Sequence, residues 1–273
     1  MRFLDGLDDD IRQGLLDRIK TSWTHHSTAI EGNSLSLFDT RMLIEEGLTV
    51  GGKTLREHQE VVGHARCVEL IYGLLGRAVG EEDLFILHKA VQVDAVFDIY
   101  KPMGAWKREP NGVYVPLPDG RERFHEFARP ADVPALMGTF ILEMNKRILG
   151  AGNMDADALV AAYAQLHAGF VSVHPFWDGN GRLARLVSNL PMLSAGFPPI
   201  LIDKGRRGEY MRHLADYQEA CGPVTPESGP WPAGGSLDAI CGFFADCHAH
   251  TLEWIREAHE LQDGRDSSAQ WPR

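Results

Sequence analysis

Apolar side chains along this sequence recur mainly three and four positions apart, the spacing of an α-helix with one buried face. Periodic segments of this kind lie at residues 56–75, 83–96, 133–149, 155–173, 182–195, 209–220 and 237–259, with Gly- and Pro-rich joints between them. The alanine-rich stretch up to Val173 reads as an apolar helix, and His174-Pro175 ends it because a residue before proline is pushed out of the helical region. Leu183, Leu186, Val187 and Leu190 then restart the helical spacing, so a second helix begins near Gly181. One segment departs from this period. Gly104-Ala105-Trp106-Lys107-Arg108, followed by Asn111-Gly112 and Val113-Tyr114-Val115, reads as two short extended pieces about an Asn-Gly turn, a β-hairpin. The pattern therefore predicts an all-α fold carrying one small hairpin. The Pro/Gly-rich stretch 222–235 is expected to join two helices of one core, since too little chain follows it for an independent domain.

The turn between the two central helices changes the picture from fold to chemistry. It reads His174-Pro175-Phe176-Trp177-Asp178-Gly179-Asn180-Gly181-Arg182-Leu183-Ala184-Arg185. A glycine-rich loop that opens a helix turns backbone N–H groups toward an anion, and the helix N-terminus adds partial positive charge. Arg182 and Arg185 lie three apart in the first turns, so both guanidinium forks suit one ligand. Asp178 suits a Mg²⁺, which typically takes one or two protein carboxylates. His174 stands just before the cradle, placed to accept a proton from a hydroxyl. The set suits a metal-bound polyphosphate. Singly, each residue is more simply a cap, a core group or a solvated charge; the combination in twelve residues carries the inference.

These residues resemble the Fic family motif H-P-F-x-D/E-G-N-G-R-x-x-R, matched here without a departure. The resemblance implies an all-α, Fic-type helical core with a small β-hairpin flap over the active site, and transfer of AMP from ATP to a Ser, Thr or Tyr hydroxyl of a target protein. By the same resemblance His174 is the base, Asp178 the Mg²⁺ ligand, Gly179, Asn180 and Gly181 the phosphate cradle, and Arg182 and Arg185 the grips on the outer phosphates. Phe176 anchors the loop in the core. The related Doc kinases break the Gly-Asn-Gly part of the motif, which this chain keeps, so nucleotidyl transfer is favoured over phosphorylation.

Ser27-Thr28-Ala29-Ile30-Glu31-Gly32 resembles the family's inhibitory motif, in the class whose inhibitory helix precedes the core. Ser27 and Glu31 are four apart on one helix face, and Gly32 is a natural helix stop. The resemblance implies that Glu31 pairs with Arg185 and takes the place of the ATP γ-phosphate. It also assigns the hairpin the role of a flap that holds the target segment near Trp106 to Val115 by strand addition. The expected organisation is an N-terminal inhibitory region over residues 1–50 packed on the core, a Fic core over 51–262 and a polar tail over 263–273.

Two other patterns compete for attention. Gly47-Leu48-Thr49-Val50-Gly51-Gly52-Lys53-Thr54 satisfies the P-loop spacing, with Ile200-Leu201-Ile202-Asp203 as a candidate second element. A P-loop must follow a buried strand, whereas helix formers with apolar Met42, Leu43 and Ile44 precede this one, so a helix–helix connection is expected. Cys241, Cys247, His248 and His250 fit no common zinc spacing and share a helix face instead. Four cysteines without framework spacing point to a reducing compartment, and the acidic start lacks a signal peptide's apolar core, so the cytoplasm is the expected location. A net charge of −11 disfavours nucleic acid and anionic membranes, with Lys204, Arg206 and Arg207 as a local basic patch. The residues leave several alternatives open: removal of AMP by the same site, a different nucleotide donor, a non-enzymatic nucleotide-responsive module, and a homodimer as the working assembly.

Overall fold

A computed structural model describes residues 2–92, 98–116 and 122–269. The helices are α1 (Asp9–Ile30), α2 (Leu37–Glu46), α3 (Leu55–Gly73), α4 (Glu81–Val91), α5 (Val133–Gly150), α6 (Ala156–Val173), α7 (Asn180–Val187), α8 (Leu190–Ser194), α9 (Arg207–Cys221) and α10 (Asp238–Ala269). Two antiparallel strands, β1 (Gly112–Pro116) and β2 (Glu122–Glu126), complete the described elements, with Tyr114 opposite Phe124.

Helix α6 runs through the centre of the core: Leu159, Tyr163, Leu166, Phe170 and Val173 line one fully buried face, and from Leu166 to Val173 every residue is buried. Its small residues let neighbours approach closely. A Cβ on Gly169 would lie 2.4 Å from the Trp231 indole nitrogen, which donates to the Gln165 carbonyl at 2.6 Å. Except for α2, whose Leu43 packs with Leu35 and Val61 in a small separate cluster, the other helices lay apolar stripes around this axis in one continuous core running from Phe3 to Ile255. Helix α1, outside the periodic segments read from the sequence, joins that core through Ile11, Leu15, Ile19, Trp23 and Ile30. Among the described residues, no helix is long and apolar enough to cross a membrane.

The Gly47 to Thr54 stretch connects α2 to α3, as its helical context predicts. Gly47 ends α2 in the left-handed region (φ 68°), and Thr54 with Glu57 forms the capping box that starts α3. Lys53 donates to the Ser34 carbonyl at 2.7 Å. Among the described residues only helices precede the pattern, so it lacks the strand that a P-loop requires. Three sequence expectations are corrected. The segment 182–195 divides into α7 and α8 because Pro191 cannot continue the first helix. The segment 83–96 becomes α4 ending at Val91, with 93–97 outside the described residues. The hairpin lies downstream of its expected place. Neither Asn111 nor Gly112 has a positive φ, which the tight hairpin turn requires at both positions, and Gly112 instead opens β1. Residues 117–121, between the strands, lie outside the described residues. Helix α10 itself runs on to Ala269.

Candidate active site

The site is built at the end of α6. His174 closes that helix with φ 51°, the one positive φ of a non-glycine residue among those described, and its amide still donates to Phe170 O at 2.9 Å. Such a conformation costs ~1–3 kcal/mol and persists only where the surroundings impose it. Pro175 supplies part of that constraint by excluding the helical region. Phe127 supplies more: its ring stacks on the imidazole with centroids 3.7 Å apart and planes 2° from parallel. His174 Nδ1 lies 3.1 Å from the Val171 carbonyl. A carbonyl can only accept, so Nδ1 carries the proton and Nε2 keeps the free lone pair. Burial, with the Lys107 cation adding to it, pushes the His174 pKa down to about 3. The imidazole is therefore neutral throughout the physiological range, with the Nε2 lone pair free of a proton.

The loop after His174 is braced from several sides. Phe176 is fully buried, stacked against His88 at 4.0 Å and packed on Trp106 at 5.1 Å. Asn180, 1% exposed, turns its side chain inward: Oδ1 accepts from Phe176 N at 2.9 Å and Nδ2 donates to Phe176 O at 2.8 Å. His88 Nδ1 accepts from the Gly104 amide at 2.8 Å, so its Nε2–H donates to the Asp178 carbonyl at 3.1 Å. Burial lowers the His88 pKa to about 4, which keeps that tautomer neutral.

Asp178 keeps its carboxylate about half exposed, with Oδ2 3.7 Å from Arg182 Nη2 and Oδ1 accepting from the Gly179 amide at 2.6 Å. Burial opposes the ionised form, but Arg182, that amide and Gln92 outweigh it and hold the carboxyl below its ordinary range. The described residues contain no cluster of three or more His, Cys, Asp or Glu side chains fit for a metal. One ionised carboxylate beside an anion cradle is nonetheless the donor set that suits a Mg²⁺ arriving with phosphates, and not a resident zinc or calcium.

Gly179 (φ 78°) opens α7, whose first amides have no partner within the helix. Arg182 is 5% exposed and donates to the Val91 carbonyl at 3.2 Å, while its Nε is buried with no hydrogen-bond partner among the described residues. Arg185 is 2% exposed. Its Nε donates to Ser27 Oγ at 3.0 Å, and its Nη2 to Ser27 O at 2.9 Å and Glu31 Oε1 at 2.7 Å. Nη1 reaches Tyr210 Oη at 3.5 Å, and that hydroxyl lies 3.0 Å from His167 Nε2. Glu31 caps α1, followed by Gly32 at φ 102°. A Cβ on Gly181 would lie only 2.6 Å from Glu31 Oε1, so the Glu31 carboxylate rests on the amide end of α7.

The structure thus brings together His174, Asp178, Gly179, Asn180, Gly181, Arg182, Arg185, Ser27 and Glu31 around the start of α7. It does not assemble the zinc alternative: Cys247 and His248 are buried in α10, and exposed His250 pairs with Glu253 at 3.4 Å. Nor is the basic patch free, since Arg206 pairs with Glu209 and Asp246, and Arg207 donates to the Ile30 carbonyl at 2.7 Å. Sequence reasoning missed His88, Phe127, Tyr210, Lys107 and Asn111. The first three come from separate elements with no local signal. Lys107 and Asn111 were within the singled-out hairpin segment, but only the fold shows that they face the loop.

Comparison with known proteins follows the same residues. A family model described as the Fic/DOC family matches residues 78–192. The chain is 34% identical over 196 residues to "Protein adenylyltransferase fic-1" of Caenorhabditis briggsae, covering 70% of this chain and 35% of that protein. It is 30% identical over 235 residues to "Protein adenylyltransferase Fic" of Drosophila erecta, covering 84% of this chain and 40% of that protein. The chain therefore spans well under half the length of these relatives. Among solved structures, a Fic domain containing signaling protein from Bacteroides thetaiotaomicron superposes with a TM-score of 0.78 at 27% identity, covering 96% of this chain and 93% of the other. Fic-1 from C. elegans gives 0.70 at 26% identity, covering 93% and 68%.

Proposed function

The chain belongs to the Fic/DOC family, and from that premise we propose that it is a protein adenylyltransferase that moves AMP from ATP to a hydroxyl side chain of a target protein. The observation that carries the proposal is the convergence of a neutral base, an ionised carboxylate, a helix N-terminus and two buried guanidiniums within one turn. In this reaction the hydroxyl of a target Ser, Thr or Tyr gives its proton to His174 Nε2. A bond forms from that oxygen to the α-phosphorus, the bond from the α-phosphorus to the α–β bridging oxygen breaks, and pyrophosphate leaves with the electron pair. The amides at the start of α7, with Arg182 and Arg185, bind and orient the phosphates and offset the charge that develops there. Asp178 would hold the Mg²⁺, which when bound neutralises phosphate charge. The strands β1 and β2 would hold the target segment by strand addition.

In the same proposal Glu31 acts as an internal inhibitor. Its carboxylate lies where an outer phosphate would meet Arg185 and the α7 amides, so ATP binds in a productive pose only when Glu31 leaves. Four free cysteines are consistent with a reducing, cytoplasmic setting. The test of reaction type is to incubate the Glu31→Gly protein and a lysate with Mg²⁺ and ATP labelled either at the α- or at the γ-phosphate. Protein-bound label from the α position alone is expected; label from the γ position would make the chain a kinase and overturn the proposal.

A further inference from the structure

Lys107 stands out among the groups that the proposed reaction leaves unused. It is 2% exposed, and no carboxylate lies within ion-pair distance of it among the described residues. Burying an ammonium without a counter-ion is costly, and a methionine of similar length would fill the same space without that cost. Burial lowers its pKa to about 7, with Glu126 opposing the shift. The partners that Lys107 does have all belong to one small region. Its Nζ donates to Asn111 Oδ1 at 2.6 Å and reaches the Val173 carbonyl at 3.5 Å. Its backbone amide donates to the Pro175 carbonyl at 2.9 Å. Asn111, whose oxygen is held by that ammonium, donates its Nδ2 to Phe176 O at 3.0 Å and reaches Trp177 O at 3.5 Å.

The carbonyls on both sides of His174 are thus gathered by two residues. Val173 closes α6 and 175–177 precede α7, so these carbonyls rely on side-chain and loop donors, the Asn180 side chain at Phe176 O among them. The same pair also holds the stacking partner of His174. The Phe127 amide donates to the Asn111 carbonyl at 3.1 Å, and the Lys107 ammonium lies 6.0 Å from the Phe127 ring centre. The imidazole is therefore held on its face by Phe127 and at Nδ1 by the Val171 carbonyl of α6; the first support and the backbone on both sides of His174 trace to Lys107 and Asn111.

We propose that Lys107 and Asn111 are positioning residues, a clasp between the base of the hairpin and the catalytic loop that sets where His174 Nε2 lies relative to the phosphate cradle. The proposal rests on the adenylyltransferase reading for its kinetic consequence, not for its geometry. Neither residue meets the nucleotide in this scheme. Loosening the clasp should slow transfer while leaving ATP binding nearly intact, because the cradle is held separately by Asn180, His88 and α7.

The test is made in the full chain carrying Glu31→Gly. Lys107→Met, Lys107→Arg and Asn111→Ala are compared for kcat and for KM toward ATP, with thermal unfolding as a check on folding. A small misplacement of a reacting group costs up to about 100-fold in rate. A fall in kcat of about tenfold or more is therefore expected for Lys107→Met and Asn111→Ala, with KM changed less than about threefold. Lys107→Arg, which keeps a cationic donor, should recover part of the loss. An unchanged kcat, or kcat and KM moving together with no rescue by arginine, would overturn the clasp. If Lys107→Met fails to fold, Asn111→Ala alone decides, since Asn111 is only half-buried. If the Glu31→Gly parent transfers nothing from ATP, the functional reading has failed instead. Hydrogen exchange of the amides at 174–179 then tests the clasp by itself: faster exchange in both loss variants supports it, and unchanged exchange sinks it.

Discussion

At the scale of single residues, chemistry here is decided by which proton sits where. His174 donates from Nδ1 to a carbonyl and so keeps Nε2 as an acceptor; His88 shows the reverse pattern, accepting at Nδ1 and donating from Nε2 to the Asp178 carbonyl. Burial holds both neutral, so each keeps one tautomer. Asp178 is the complementary case, an ionised carboxylate about half exposed beside Arg182. Asp178→Asn keeps the shape and removes the charge. It should raise the Mg²⁺ concentration needed for half-maximal transfer by about tenfold or more, as losing even an outer partner of a metal ligand does; a titration of rate against Mg²⁺ that superposes on the parent's would remove Asp178 as the ligand. The residues proposed to react were legible in the sequence because they occupy nearby positions in one turn, where spacing alone fixes neighbourhood. His88, Phe127 and Tyr210 were not, because their approach to the loop is set by how α4, the hairpin and α9 pack on α6, and no local pattern encodes that.

At the scale of elements, the helices followed from their periodicity, and the departures have physical causes. Pro191 divides one expected helix, and the negative φ at Asn111 and Gly112 moves the hairpin downstream. Helix α1 was read only at its C-terminal motif, although Ile11, Leu15, Ile19 and Trp23 carry a helical spacing into the core. That end of α1 carries Glu31, the proposed inhibitor, on Arg185. Arg207, at the start of α9, donates to the Ile30 carbonyl and so tethers the last turn before Glu31. Releasing that tether should let Glu31 leave Arg185 more often. Arg207→Ala is therefore expected to raise basal transfer a few-fold, the size of one charge-assisted hydrogen bond discounted for exposure, and less than Glu31→Gly does. An unchanged basal rate would show that α1 is held without Arg207.

For the molecule as a whole, one core carries both α1, the proposed inhibitory helix, and the turn proposed for catalysis, and it encloses several histidines whose pKa burial lowers. Burial lowers the pKa of His25, His88 and His248 from 6.5 to about 4, and that of His167 and His174 to about 3. In the unfolded chain each binds a proton near pH 6.5; in the folded chain each resists until pH 3–4. The unfolded state thus binds more protons in that window, and stability, complete above about pH 6.5, is lost as the pH falls through it. The urea midpoint should be clearly lower at pH 5 than at pH 7.5, whereas equal midpoints would mean that these histidines are not buried in solution. The central claim is that this core holds a competent transferase switched off by Glu31. Its most direct test compares wild type, Glu31→Gly and Glu31→Gly/His174→Ala for transfer of α-phosphate label from ATP to protein. Strong label with Glu31→Gly, weak label in wild type and none in the double variant is the predicted result; equal label in wild type and Glu31→Gly, or label that survives loss of His174, would contradict it.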